Sequence, residues 1–90
     1  SLNLGEEDFL GNLSIYPNPN KGEFNVKFNT LGQHIKIEIF DVFGRLITSR
    51  SFNESGKFDQ VIKINHPQSG LYLLNITDRN RIVTKKIIIN

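Results

Sequence analysis

The sequence contains no cysteine, methionine, tryptophan or alanine among its 90 residues. Without cysteine, the chain forms no disulfide and offers no thiolate zinc site and no cysteine nucleophile. No run approaches the roughly 20 apolar residues of a membrane-spanning helix, so we expect no membrane insertion. Alanine, the best helix former, is missing, while the 12 Ile, 4 Val, 4 Thr and 9 aromatic residues favour strands. We therefore expect one small all-β domain.

The net charge of +2 is too small to indicate a nucleic-acid partner, but the charges are unevenly distributed. Residues 1–12 carry three carboxylates and no basic side chain, whereas residues 13–90 carry 11 basic and 6 acidic side chains. The acidic segment lacks the basic start and apolar centre of a signal peptide, so we interpret residues 1–12 as a linker. The absence of a starting Met leads us to expect that the chain is cut from a longer precursor.

Short segments of alternating or continuous apolar residues are separated by turn residues about every 8–12 positions, which is typical of a β-sandwich. The segment 71–77 is apolar on both faces and predicts a central strand, while 45–52 has the weak pattern of an edge strand. We predict a seven-stranded antiparallel Ig-like or fibronectin-like sandwich, with strands at 13–16, 23–28, 35–41, 45–52, 58–64, 71–77 and 81–89.

Catalytic and metal-binding motifs are absent from the sequence pattern. His34 and His66 lie in turn-like stretches without further ligands at metal-binding spacing, so we interpret them as solvated loop residues. Ser14, Asp59 and His66 form a triad only on paper, because no nucleophile-elbow motif accompanies them. We therefore assign no catalytic, metal or cofactor-binding residue, expect no cofactor and predict that the chain is not an enzyme.

Two further features leave alternatives open. Asp41 precedes Gly44 in a predicted hairpin connection and is expected to order that turn. Lys85 and Lys86 interrupt the apolar final strand. They either protect an edge strand from unwanted pairing or present positive charge to a partner, and composition does not decide between these interpretations.

Several motifs follow one another in a characteristic order along residues 12–90. Leu13-Ser14-Ile15-Tyr16-Pro17-Asn18-Pro19 precedes Gly22 and Phe24, and Ile37-Glu38-Ile39-Phe40-Asp41 precedes Gly44-Arg45. Ser69-Gly70-Leu71-Tyr72-Leu73-Leu74-Asn75-Ile76 and Thr84-Lys85-Lys86-Ile87-Ile88-Ile89 complete the series. In this order and spacing they resemble the type A C-terminal sorting domains of type IX secretion (the Por secretion system), which end many secreted Bacteroidetes proteins.

This resemblance implies an Ig-like domain that carries a secretion signal and lacks catalytic activity. After export through the inner membrane, the outer-membrane type IX translocon would recognise residues 13–90 and deliver the preceding cargo domain to the cell surface or the medium. A sortase-like peptidase would then usually cut in the linker. The sequence departs from the family's Pro-x-Gly-x-Tyr spacing, because Pro67 stands three residues before Gly70. The candidate sorting residues are Tyr16, Pro17, Asn18, Pro19, Gly22, Gly44, Arg45, Pro67, Gly70, Tyr72, Lys85 and Lys86.

Two other classes of function compete with a sorting signal. An Ig-like accessory module of a secreted enzyme would bind carbohydrate or protein and expose a patch of aromatic side chains, but Tyr16 and Tyr72 are the only tyrosines and both lie in the sorting motifs. A structural spacer would need no particular C-terminal residues. For a sorting signal, recognition by strand addition at a sheet edge and recognition by charge complementarity both remain open.

Overall fold

The computed structural model describes residues 11–30, 32–79 and 81–90, and the regular structure in these ranges consists of β-strands. No helix in the described ranges is long and apolar enough to cross a membrane. The positions 1–10 of the predicted linker, and Asn80 in the turn predicted after 78, lie outside the described residues. The strands are β1 (Gly11–Tyr16), β2 (Glu23–Thr30), β3 (Ile35–Asp41), β4 (Leu46–Phe52), β5 (Gly56–Lys63), β6 (Gly70–Asp78) and β7 (Arg81–Ile89).

All seven predicted strands are present, and their ends differ from the predicted ends by at most two residues. They form two antiparallel sheets, one with the order β1-β2-β5 and one with the order β4-β3-β6-β7. The predicted β-sandwich is therefore confirmed. The fourth strand pairs with the third in the larger sheet, whereas antibody constant domains place it beside the fifth. The prediction of β4 as an edge strand and of β6 as a central strand is also confirmed.

The core lies between the two sheets and is built by strict alternation along the strands. On β2, the side chains of Phe24, Val26 and Phe28 are buried, while Glu23 is exposed and Asn25 is half-buried. This pattern is what a strand with one face on a core requires, because successive side chains point to opposite faces. β3 repeats it with buried isoleucines at 35, 37 and 39.

Three phenylalanines join the two sheets. Phe28 on β2 and Phe58 on β5 stack with their ring centroids 4.5 Å apart, and Phe52 on β4 meets Phe58 edge-on at 5.1 Å. Offset-stacked and edge-to-face pairs are the favoured arrangements of aromatic rings in protein cores. At this point, aromatic side chains from both sheets therefore form part of the core.

Candidate recognition site

Residues 17–22 connect β1 to β2, and we call this connection the strap because it lies along the outer edge of β7. The Asn18 side chain bonds to the backbone of β7 as a neighbouring strand would. Its Nδ2 donates to the carbonyl oxygen of Lys86 at 3.1 Å, and its Oδ1 accepts from the amide of Ile88 at 2.9 Å. The peptide bonds preceding both prolines of the strap are cis.

Asn20 continues this pairing with its backbone. Its amide donates to the carbonyl oxygen of Ile88 at 2.9 Å, and its own carbonyl accepts from the amide of Asn90 at 2.8 Å. The Asn20 side chain is buried, and its Nδ2 donates to the Pro17 carbonyl at 3.1 Å while its Oδ1 accepts from the Gly22 amide at 2.7 Å. A buried amide with its donor and acceptor both satisfied holds the strap in one conformation. The C-terminal end of β7 is therefore hydrogen-bonded on both sides.

Gly22 ties the strap to the loop between β5 and β6. It has φ of +105°, and a Cβ at this position would lie 2.7 Å from Cγ of Pro67. Its carbonyl also accepts a hydrogen bond from the amide of Ile64 at 2.8 Å. Both the backbone conformation and the close approach of Pro67 require glycine here. Pro67, whose spacing departs from the family pattern, thus packs against the first motif.

The β5–β6 loop is closed by Gly70 and Tyr72. Gly70 has φ of +148° with open space around the position of a Cβ, so the backbone conformation alone favours glycine. The ring of Tyr72 is 7% exposed, and its hydroxyl donates to the carbonyl of Gln68 at 2.6 Å. Tyr72 therefore anchors the loop that precedes it, and its buried ring is not available for stacking on a sugar.

Asp41 organises the hairpin between β3 and β4, as its position beside Gly44 predicts. Its Oδ1 accepts from the amides of Phe43 at 2.9 Å and Arg45 at 3.0 Å, and its Oδ2 accepts from Nε of Arg45 at 2.7 Å. The Arg45 guanidinium lies over the Phe43 ring, 5.4 Å from its centroid. Despite this contact, Phe43 is 80% exposed. The hairpin therefore presents the Phe43 ring to solvent on a turn whose conformation is fixed by hydrogen bonds.

The same contacts shift the titration of Asp41. Desolvation by burial raises the pKa of its carboxyl. The hydrogen bonds from the backbone and side chain of Arg45 and from the backbone of Phe43, together with the positive charge of Arg45, outweigh that effect, so the pKa lies below its ordinary value of 3.8. Asp41 is consequently ionised at neutral pH, which the ion pair requires.

The two histidines and Asp59 differ in their surroundings. His34 is exposed, and its Nδ1 lies 2.6 Å from Oδ1 of Asn53. Asp59, on β5, accepts a hydrogen bond from Nδ2 of Asn25 at 2.7 Å. His66 is also exposed, but it precedes Pro67 in the β5–β6 loop and faces the β3–β4 hairpin across a cleft.

The motifs that are separate in the sequence come together at one end of the sandwich. A cleft of about 480 Å³ lies between the β3–β4 hairpin and the β5–β6 loop, so that Arg45 lines one wall, and Pro67 and Gly70 the other. Gly22 contacts Pro67 behind this loop, and the strap continues from there to the end of β7. One contiguous surface thus contains residues from all four motifs.

A family model described as a secretion system C-terminal sorting domain matches residues 14–90. The chain belongs to this family. The match confirms the resemblance drawn from the sequence motifs, and it extends through the strap, the hairpin, the loop and the final strand. No curated protein matches the chain in sequence.

As a type IX sorting domain, the chain belongs to a family of secretion signals and not of enzymes. Membership implies recognition by the type IX machinery, an attached cargo, and export to the cell surface or secretion. The convergence of the motifs at one end of the sorting domain is the structural feature that bears on how this recognition is achieved.

The structure separates Lys85 and Lys86, which the sequence analysis treated as one segment. Lys86 points to the outer face of the larger sheet and is exposed. Lys85 lies on the core side of β7 between Val83 and Ile87 and is half-buried. Adjacent residues of a strand necessarily point to opposite faces. An inward-pointing charge on an edge strand is a known protection against unwanted pairing, so that interpretation would apply to Lys85, and presentation of charge to a partner would apply to Lys86.

Asn20 and Phe43 were not among the predicted site residues of the sorting domain. Asn20 forms an Asx turn with Gly22, and the Asn-Lys-Gly triplet at positions 20–22 is a signal from which this turn could have been predicted. Phe43 lies in the predicted hairpin connection, and this position between two strands is the signal from which its exposure could have been predicted.

Proposed function

We propose that the chain is recognised in its folded form by the outer-membrane type IX translocon, which passes the attached cargo from the periplasm to the surface. The observation that carries the proposal is the convergence of the strap, the hairpin, the β5–β6 loop and Lys86 at one end of the sandwich. None of these elements is contiguous with another in the chain, so only the folded domain presents them together. A translocon that recognises this end therefore selects folded cargo carriers.

We further propose that a sortase-like peptidase cuts the chain before the sandwich, in the acidic segment 1–12. Cleavage on the N-terminal side of Gly11 would release the cargo without disturbing the core, because β1 begins at that residue. It would also leave the recognition end intact on the removed domain. Cargo would then be released or joined to an anionic surface lipopolysaccharide.

The test is a fusion of a signal peptide, a fluorescent protein and residues 1–90 in a type IX-competent bacterium. We expect fluorescence at the cell surface or in the medium, and retention in the periplasm in an otherwise identical strain without the translocon. A fusion lacking residues 1–90 is the matched control. Retention in the competent strain, or equal delivery without the translocon, would contradict the proposal.

Deleting residues 85–90 is a poor version of this test, because it also removes Ile87 and Ile89 from the core.

Mass spectrometry of the delivered reporter separately tests the cleavage. We expect its new C-terminus to fall within residues 1–12. Delivery of the intact fusion would contradict the cleavage step and leave recognition standing.

A further inference from the structure

The outer face of the larger sheet is divided into a polar half and an apolar half. Directly paired residues form rows across β4, β3, β6 and β7, and four such rows cover the outer face. Two rows are largely polar: Ser51, Lys36, Thr77 and Ile82, followed by Ser49, Glu38, Asn75 and Thr84. The next two are largely apolar: Leu46, Phe40, Leu73 and Lys86, followed by Leu71 and Ile88.

We call the five apolar residues of the last two rows the apolar half-face: Phe40, Leu46, Leu71, Leu73 and Ile88. Leu46 is 52% exposed, Ile88 46% and Leu71 39%, while the remaining two are half-buried. Contiguous exposed apolar patches on monomeric proteins mark interaction sites. This patch lies at the same end of the sandwich as the strap and the hairpin that carries Phe43.

At the β6–β7 side of the half-face, most of the backbone is already hydrogen-bonded. β6 is paired on both sides, with β3 and with β7. The outer edge of β7 is bonded to the strap through the carbonyl of Lys86, both backbone groups of Ile88 and the amide of Asn90. An added strand therefore has no edge to bind at this end of β7. Recognition at the end of β7 is therefore expected to act through side chains.

The charges at this site indicate the partner's chemistry. Lys86 is the charged member of the two apolar rows, and its side chain is exposed. Glu38, in the neighbouring polar row, is already within 3.4 Å of Lys36 Nζ. A second copy of this face would thus offer Lys86 no acidic side chain from these rows. A partner with an apolar surface and a carboxylate opposite Lys86 is complementary in both respects.

We propose that the type IX component that recognises this domain docks on the apolar half-face, with an acidic group opposite Lys86, and does not add a strand to β7. This inference rests on the proposed function and names the surface and the mode of recognition. In this arrangement the strap binds the backbone of β7, and the outward side chains of Lys86 and Ile88 contact the partner.

The test compares two isoleucines of β7 in the reporter fusion. Ile88→Glu places a charge in the half-face, whereas the matched control Ile82→Glu places it on the same strand and face, at 52% exposure, in the polar half. We expect Ile88→Glu to lower delivery about tenfold or more, because an unpaired charge is buried at the interface. Delivery by Ile82→Glu should match that of the unmodified domain.

A second pair tests the charge. Lys86→Glu should lower delivery and Lys86→Arg should preserve it. If Ile88→Glu fails to fold, Leu46→Ser provides a second test of the apolar contact, because Leu46 lies on an edge strand remote from the strap. Circular dichroism of each purified variant verifies folding. The inference would be overturned if Ile88→Glu and Leu46→Ser both fold and are delivered as well as the unmodified fusion. Because the unmodified fusion is still delivered in that case, the proposed function would stand.

Two other outcomes also decide against the half-face. Equal loss of delivery with Ile82→Glu and with Ile88→Glu would mean that recognition is not confined to the half-face. The half-face would be assigned to a second copy of the domain if two results occur together. The unmodified domain would sediment as a dimer, and the Ile88→Glu variant would be monomeric but still delivered. Failure of the unmodified fusion itself would contradict the proposed function and is distinguishable from each of these.

Discussion

At the scale of single residues, Asp41 determines the conformation of the β3–β4 hairpin. One carboxylate accepts three hydrogen bonds, from two backbone amides and from the Arg45 guanidinium. These bonds hold the turn in one conformation. Gly44 completes the turn with φ of +83°. Because these donors favour the ionised form, they also lower the pKa of Asp41 and couple the turn to pH.

We expect Asp41→Asn to lower the melting temperature at neutral pH, and the difference from the unmodified domain to shrink in acid. The folded state holds this carboxyl at a lowered pKa, so its stabilisation is complete above the ordinary value of 3.8 and is lost as the pH falls through the lowered value. Thermal denaturation of both proteins from neutral pH to below 3.8 measures this. A difference that is constant over the whole range would show that the charge of Asp41 contributes nothing.

At the scale of elements, the final strand depends on a connection from the opposite sheet. β7 is an edge strand, and an uncovered edge invites pairing with other chains. The strap covers the C-terminal half of that edge with the side chain of Asn18 and the backbone of Asn20. In the described part of the chain, the outer-edge backbone groups of Ile82 and Thr84 have no such cover. The two halves of β7 therefore differ in their capacity for strand addition.

Asn18→Ala tests the strap, because it removes both side-chain hydrogen bonds to β7 and leaves the backbone bonds of Asn20. We expect the free energy of unfolding to fall by about 1–2 kcal/mol, the usual value of two hydrogen bonds at solvent-accessible positions. Amide hydrogen exchange should accelerate at Ile88, which loses its Asn18 acceptor, more than at Val83. Thermal or urea denaturation with exchange measured by NMR provides both quantities.

Asn29→Ala is the matched control for the strap, since Asn29 is an exposed asparagine on β2. A surface substitution of this kind changes stability by no more than about 0.5 kcal/mol. Equal effects of the two substitutions, or unchanged exchange at Ile88, would mean that the Asn18 bonds do not stabilise the strand end.

At the scale of the whole molecule, one aromatic cluster joins the sheets and one end of the sandwich gathers the motifs. The cluster of Phe28, Phe52 and Phe58 spans both sheets. A 90-residue domain has a total stability of only about 5–15 kcal/mol, so such a cluster carries a large share of it. Presentation of the recognition end therefore depends on packing far from the residues that form it.

We expect Phe58→Ala to lower the free energy of unfolding by about 3–5 kcal/mol, as for other buried aromatic truncations, and to reduce delivery of the reporter in proportion to the unfolded fraction. Val61→Ala is the control, because Val61 lies on the same strand but is 49% exposed. Urea denaturation and the fusion assay measure the two effects. Full delivery of a largely unfolded Phe58→Ala domain would contradict recognition of the folded form.

The strands, the faces that form the core and the family can all be predicted from the order of the amino acids. Alternation of apolar residues depends on neighbours two positions apart, so β2 and β3 can be located from the chain alone. The ordered motifs likewise identified the sorting domain without coordinates. Asp41 was placed correctly in its turn, because hairpin chemistry is local.

The contacts between the motifs, in contrast, become visible only in the folded domain. The bonds from Asn18 to Lys86 and Ile88 span 68 and 70 positions of the chain, and no local pattern encodes such a contact. The opposite directions of Lys85 and Lys86 matter only once β7 is known to be an edge strand. Leu71 and Leu73 lie on a central strand, as predicted. Their exposure on its outer side, however, depends on whether another element packs there. Non-local pairing therefore determines which backbone groups at the end of β7 are already hydrogen-bonded.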